Sequence, residues 1–343
     1  LSGSVVWCAP PERLPEQVAR ILLASEFFDR TKPRKRLGIK LHFGEAGNHN
    51  HIEPEVVRQV VVLASRFHLE PFLIETTSLY RGRRATRREH IKLACEHGFD
   101  VKQVLAPIDI LDGEFGEKFY TVAMNSTELP KAFLAAGLRY YSYIINLAHF
   151  KGHFVTGFGG TIKNLAMGLA SKAGKLAMHS SSKPYVDEVR CASCGACVEY
   201  CPHQGISFVR YVAKISSSCT GCGGCVAVCP HGAIKLKWDL ASDSVQTKMA
   251  DYCQAVLTGR AAIHFNLAVK ITPNCDCNSV TEKPMMPDLG VFGSFDPVAC
   301  DQAVFDRARE KIKECYPELD PEILLARAAE IGLGSRNYQL VPV

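Results

Sequence analysis

The sequence predicts an α/β fold: a mostly parallel sheet with helices on both faces, interrupted by a small α+β domain rich in cysteine. Three observations carry that prediction. Apolar residues alternate along the chain between strand-like and helix-like spacing, as a parallel sheet with crossover helices requires. The alternation stops near Pro184 and resumes after Leu240. Between those points lie two four-cysteine runs, each closed by proline. Residues 1–184 and 241–343 are therefore read as two parts of one α/β domain, and residues 185–240 as an insertion. A chain of 343 residues has room for about two domains.

The elements follow in order. Leu37 to Phe43 reads as a strand and Pro54 to Phe67 as a helix with an apolar stripe. Pro71 to Thr76 is a second strand, Arg87 to Cys95 a helix and Val104 to Ile110 a short strand. Thr127 to Ala136 carries a helical pattern, and Tyr141 to Leu147 is again a strand. A glycine-rich turn leads into a helix over Thr161 to Leu176, with Ile162, Leu165, Leu169, Ala173 and Leu176 on its apolar face. After the cysteine runs come a helix over Ser244 to Leu257 and a strand over Ala261 to Ile271. Asp296-Pro297 then opens a further helix as N-cap and first-turn proline.

Within the insertion, Cys191, Cys194, Cys197 and Cys201-Pro202 recur as Cys219, Cys222, Cys225 and Cys229-Pro230. This doubled C-x2-C-x2-C-x3-C-P run has the ligand spacing of bacterial two-cluster ferredoxins. Each run supplies three thiolates to one [4Fe–4S] cubane and its fourth thiolate to the other. Cys191, Cys194, Cys197 and Cys229 are thus assigned to one cluster, and Cys219, Cys222, Cys225 and Cys201 to the second. Gly195, Gly221, Gly223 and Gly224 let backbone N–H groups approach the sulfurs. A pair of structural zinc sites is the alternative, but such sites usually show paired C-x2-C knuckles.

Eight thiolates held by clusters, among fifteen cysteines, point to a reducing cytoplasm. The hydrophobic fraction of 47% and charged fraction of 22% are those of an ordinary globular protein. No apolar run reaches membrane-spanning length, and no signal-peptide pattern opens the sequence. The net charge of +5 is mild and no nucleic-acid motif accompanies it, so neither membrane nor nucleic acid is an expected partner. A ferredoxin-like insertion implies an external electron carrier instead.

A second constellation runs from His149-Phe150-Lys151-Gly152-His153 through Thr156-Gly157-Phe158-Gly159-Gly160 to Lys163. It joins a strand end to a helix start, where open α/β sheets bind ligands. Helix N-termini favour anions. His149, His153 and Lys163 are accordingly the candidate catalytic residues. Gly157, Gly159 and Gly160, with Arg81 from the arginine-rich segment 81–88, are the candidate binders of an anionic small molecule or cofactor. Cys275-Asp276-Cys277 offers a metal or redox site. His42, Glu45, His49 and His51 crowd the turn after the first strand as a candidate metal group.

With these motifs in view, the chain resembles the domain-of-unknown-function 362 family carrying an inserted ferredoxin. The resemblance rests on Lys40-Leu41-His42-Phe43-Gly44-Glu45, Ser78-Leu79-Tyr80-Arg81-Gly82 and the His149 to Gly160 stretch. Lys163-Asn164-Leu165, Asn274-Cys275-Asp276-Cys277 and Asp296-Pro297-Val298-Ala299 extend it. A local resemblance, from His153 through Lys163 to His179, is to the nickel-pincer lactate racemases. It implies an acid/base role for His153, a cofactor bond for Lys163 and a nickel-ligand role for His179. Where that family has a second acid/base histidine, Tyr80 to Arg88 offers arginines.

The leading expectation is an oxidoreductase with two [4Fe–4S] clusters that relays electrons to an anionic substrate or cofactor. A racemase-related metal-dependent isomerase and a pure electron carrier or cluster scaffold are the alternatives. No G-x-G-x-x-G fingerprint follows a strand, so nicotinamide binding is not expected.

Overall fold

The computed structural model describes residues 3–80, 82–126, 129–179, 183–201, 203–219, 221, 223–236 and 242–343. Arg81, Cys222 and the expected boundary at Leu240 lie outside the described residues. Eight strands form the main sheet: β1 (Ser4–Ala9), β2 (Arg36–Lys40), β3 (Glu70–Glu75), β4 (Ile108–Ile110), β5 (Tyr143–His149), β6 (Ala261–Ala268), β7 (Gly290–Ser294) and β8 (Tyr338–Pro342). Their spatial order is β8-β1-β7-β6-β5-β2-β3-β4. Strand β7 is antiparallel to both of its neighbours, and every other adjacent pair is parallel.

Helices cover both faces. They are α1 (Leu14–Ala24), α2 (Pro54–Arg66), α3 (Arg87–Ala94), α4 (Thr161–Leu169), α5 (Lys172–His179), α6 (Ser242–Leu257), α7 (Pro297–Cys315) and α8 (Glu322–Glu330). Alternation along β5 shows how the sheet divides its side chains. Tyr143, Ile145 and Leu147 enter the core under α1 and α2, whereas Ile144 enters the one under α4, α6, α7 and α8. Burial on both faces explains why central strands read as continuous apolar runs. Among the described residues, no helix is long and apolar enough to cross a membrane.

Three expectations change. The segment expected as a helix from Thr127 to Ala136 instead contains a strand at Lys131–Ala135, paired antiparallel with Phe119–Ala123. Ala132 and Leu134 keep a period of two there, but Ala135 is buried as well, and so short an apolar run conceals the strand. The long helix expected over Thr161 to Leu176 is two helices. Ala170 is extended (φ −75°, ψ 142°) and bridges Leu134, while the N–H of Ser171 donates to the Phe133 carbonyl. Between Val104 and Ile110 only β4 is a strand, because Val101–Val104 closes as a helical turn capped by Asp100.

Residues 185–235 have a core of their own, built from Ile206, Ala213, Val226, Ala233 and Ile234 with Cys197, Cys225 and Cys229. Tyr185–Val186 pairs with Ile234–Lys235, and Ile206–Val209 with Val212–Ile215. Short helices at Ala196–Glu199 and Gly224–Val228 carry the third cysteine of each run, Cys197 and Cys225. The segment rests on the main body. The Phe115 and Tyr200 rings meet edge to face at 4.9 Å. A Cβ on Gly223 would lie 3.1 Å from Leu79 and 3.2 Å from Lys172.

Candidate functional site

A pocket opens beyond the carboxyl ends of β2, β3 and β5, the usual ligand position in such sheets. His42, Glu75 and Lys151 come from the strand ends, Lys163 and Asn164 from α4, Lys175 and His179 from α5, and Cys275 and Cys277 from the turn after β6. The break between α4 and α5 is what brings Lys175 and His179 to the same cavity as Lys163.

The pocket is strongly cationic, and most of its charges are individually paired. Lys40 projects from β2 through the core to Glu75 at 2.5 Å and to Asn164 Oδ1 at 2.9 Å. Arg84 donates to Glu45 at 2.9 Å and lies 2.9 Å from His42 Nε2. Lys151 lies 3.3 Å from Asp276. Lys175 donates to Thr76 Oγ1 and to the Ala170 carbonyl, and burial pushes it down to about 8. Burial, then Lys163, Lys175 and Lys248, push His179 down to about 4.

His153 is buried and lines the pocket. Its Nδ1 accepts from the backbone N–H groups of Val155 and Thr156, both at 3.2 Å. That acceptance places the proton of the neutral ring on Nε2. Burial, followed by Lys163 and His179, holds the ring neutral by moving it well below the ordinary histidine range. A neutral His153 is thus a hydrogen-bond donor through Nε2. His149 does not line the pocket. Its Nδ1 meets the Asp276 carboxylate at 2.9 and 3.0 Å, and its Nε2 meets the Val269 carbonyl at 2.9 Å.

These bonds grip the cysteine turn. Asn278 N–H donates to the Cys275 carbonyl at 2.9 Å, and Glu45 N–H donates to the Asp276 carbonyl at 3.0 Å. Asn274 is held by Glu282 at 2.8 and 2.9 Å. Gly152 lets the turn approach, since a Cβ there would stand 2.1 Å from the Pro273 carbonyl oxygen. Lys163 Nζ lies 3.6 Å from Cys275 Sγ. The neighbouring Cys277, more than offsetting burial, and the positive charges of Lys163 and Lys151 act together on the Cys275 thiol. Cys275 is therefore held well below the ordinary thiol range, and the same proximity pushes Cys277 up.

The helix terminus expected to seat an external anion already has an internal one. Asp301 on α7 accepts from Thr161 N–H and Oγ1, both at 2.7 Å, from Ile162 N–H at 3.1 Å and from Asn266 at 2.8 Å. Gly160 makes room for it, since a Cβ would lie 2.5 Å from the carboxylate. Gly157 (φ +72°) turns against Pro321, while Gly159 and Gly160 line the pocket. Among the described arginines of segment 81–88, only Arg84 lines the pocket, and Arg83 pairs with Glu96 outside it. His51 stacks on His97 at 4.7 Å, apart from His42. Sequence reasoning did not single out Lys40, Lys175, Asp276 or Asp301 as site residues. The available signal was a charged residue inside an otherwise apolar strand or helix face, which must find a buried partner.

In the small segment, Cys191, Cys194, Cys197 and Cys229 line one cavity. Their sulfurs also receive backbone donors: Ala213 N–H lies 3.5 Å from Cys191 Sγ and Ala233 N–H lies 3.2 Å from Cys229 Sγ. In the second set, Gly205 N–H lies 3.2 Å from Cys201 Sγ and Gly221 N–H lies 3.4 Å from Cys219 Sγ. Burial raises Cys197, and the nearby Cys229, Cys191 and Cys194 raise it further. Among the described residues, no three His, Cys, Asp or Glu side chains converge on a single ion's position. Sulfurs around a cubane stand farther apart than the ligands of one ion.

Comparison with known proteins adds a family. The model described as "Domain of unknown function (DUF362)" matches residues 37–306. No curated protein matches the chain. Among solved structures, a protein from Thermotoga maritima is similar at 13% identity and a TM-score of 0.45, over 90% of this chain and 59% of that one. The lactate racemase apoprotein from Thermoanaerobacterium thermosaccharolyticum is similar at 11% identity and a TM-score of 0.45, over 90% of this chain and 58% of that one. The chain thus spans under two thirds of the length of either structure.

Proposed function

The chain belongs to the DUF362 family, whose description names no reaction, and from its cysteine sets and cationic pocket we propose an iron–sulfur oxidoreductase acting on an anionic substrate or cofactor. The observation that carries this reading is the cavity lined by Cys191, Cys194 and Cys197 of the first run together with Cys229 of the second. A crossed set of four thiols, clustered and met by backbone N–H groups, suits a [4Fe–4S] cubane. Cys201, Cys219, Cys222 and Cys225 would hold the second. Each cluster supplies or accepts one electron at a time.

The remaining roles belong to the chain's own groups. Lys163 and Lys175 attract the anion, Arg84 and Lys151 shape the field around it, and His153 Nε2–H donates a hydrogen bond to it. The loop of the second cysteine run touches Leu79 and Lys172 beside the pocket. A cluster held by Cys201, Cys219, Cys222 and Cys225 would supply one-electron chemistry, with an external one-electron carrier as its partner. Deployment in a reducing cytoplasm follows from the need for free thiolates.

Anaerobically purified protein should contain about eight irons and eight acid-labile sulfides per chain, as two cubanes require. After reduction it should show interacting S = 1/2 centres by electron paramagnetic resonance. Stoichiometric zinc without sulfide would sink the proposal. A racemase-related metal site is the second reading, supported by the gathering of His153, Lys163 and His179 around one pocket. Stoichiometric nickel bound at those residues would favour it.

A further inference from the structure

The turn at Cys275–Cys277 has more support than a surface loop needs. His149 and Lys151 hold Asp276, Glu45 N–H holds its carbonyl, and Glu282 holds Asn274. Tyr316 Oη donates to the Pro273 carbonyl at 2.5 Å. All these bonds fix the backbone while leaving both sulfurs facing the pocket. The two cysteines are separated by one residue on this turn and both line the same pocket, and Lys163 Nζ stands 3.6 Å from Cys275 Sγ.

We propose that Cys275 and Cys277 form a dithiol–disulfide couple, a two-electron store inside the pocket. In the reducing direction the Cys275–Cys277 S–S bond takes up two electrons and one proton. The bond breaks, Cys275 is left as a thiolate beside Lys163, and the proton resides on Cys277 Sγ. In the reverse direction the S–S bond re-forms, one proton leaves Cys277, and two electrons pass to a bound acceptor. The source of the electrons rests on the iron–sulfur reading, since two clusters would deliver one electron each. The couple itself rests on the turn. It would let a one-electron supply serve two-electron chemistry on the substrate. Lys163 favours the reduced form by its charge, as cationic neighbours do for reactive thiols. It would also make Cys275 the better leaving sulfur.

The test uses the full anaerobic chain, equilibrated in glutathione redox buffers of stepped potential and then alkylated with iodoacetamide. Cleavage after Lys270 and Glu282 isolates residues 271–282, which contain only these two cysteines. Mass spectrometry should show two alkylated thiols at low potential and an intramolecular disulfide at high potential, through a single two-electron transition. Cys277→Ser should leave Cys275 alkylated across that transition, with iron and sulfide content unchanged. Lys163→Met, which keeps the fold independent of either sulfur, should move the midpoint to more negative potential. Two thiols that stay alkylated at every potential would overturn the couple. So would loss of iron in Cys277→Ser, which would assign the pair to a metal. Iron and sulfide analysis of the same samples reports on the cluster reading separately. A cluster-free protein with an intact two-electron transition would sink that reading and leave the couple standing.

Discussion

Lys175 illustrates how the pocket sets the chemistry of one residue. Its ammonium meets a hydroxyl and a carbonyl, and no carboxylate lies within ion-pair distance among the described residues. Burial lowers it to about 8. In the unfolded chain a lysine titrates near ~10.4, so between those values the unfolded state binds more protons. Stability contributed by this group therefore rises with pH across that window. Lys175→Met should remove the rise. At pH 7 it should gain about 1 kcal/mol, a charge penalty of ~3 less two hydrogen bonds of ~1 each. Urea unfolding at pH 7 and pH 10 checks both. Asp301 gives the opposite case. Asp301→Ala strands the backbone donors of Thr161 and Ile162 in the core, and should cost about 3 kcal/mol by the same measurement. Lys163→Ala should stay within about 0.5 kcal/mol, because Asp301 already balances the positive end of α4.

At the scale of elements, close approaches decide the arrangement. Lys40 can cross to Glu75 only because α4 carries Gly168 there: a Cβ would stand 2.1 Å from Lys40 Cε. Gly168→Ala should cost about 2 kcal/mol in thermal or denaturant unfolding, an overpacking effect. Gly152→Ala should cost a similar amount, about 2 kcal/mol, and should also shift the alkylation rate of Cys275, because the obstacle there is backbone rather than a flexible side chain. The sequence made the strands β2, β3 and β5 legible, with helices α2, α3, α6 and α7, because their apolar periods are long or their caps explicit. It concealed the kink after Leu169. Ile162, Leu165, Leu169, Ala173 and Leu176 keep helical spacing across it, and the cause is a bridge to Leu134 from a distant hairpin. The strand at Lys131–Ala135 was hidden for the same reason. Five residues with three buried positions, Ala132, Leu134 and Ala135, do not distinguish a period of two from one of 3.6. The pocket histidines, Lys163 and the cysteine turn stood out as motifs. Asp276 sits within that turn, but its bonds to His149 and Lys151, like those of Asp301 to Thr161, span long stretches of sequence and become visible only when β5, α4 and α7 are packed together.

For the whole molecule, the small cysteine-rich segment and the sheet body have separate cores joined by limited contact. Replacing residues 185–240 by a short glycine linker should leave a sheet body that unfolds cooperatively, followed by calorimetry. Exposure of Leu79 and Leu176 should make that variant more prone to associate, and loss of the cooperative transition would show that the segment is structural. The sheet body has one further property. The carboxylate of Asp301 already occupies the helix end at Thr161, where the backbone N–H groups would otherwise favour a negatively charged visitor. Attraction of an outside anion, as proposed above, would then fall to the ends of a few lysines and an arginine. Such groups can be exchanged without redrawing a single loop. A frame of this kind commits its main chain to no particular guest, so a change of guest would ask for new side-chain tips and not for a new backbone.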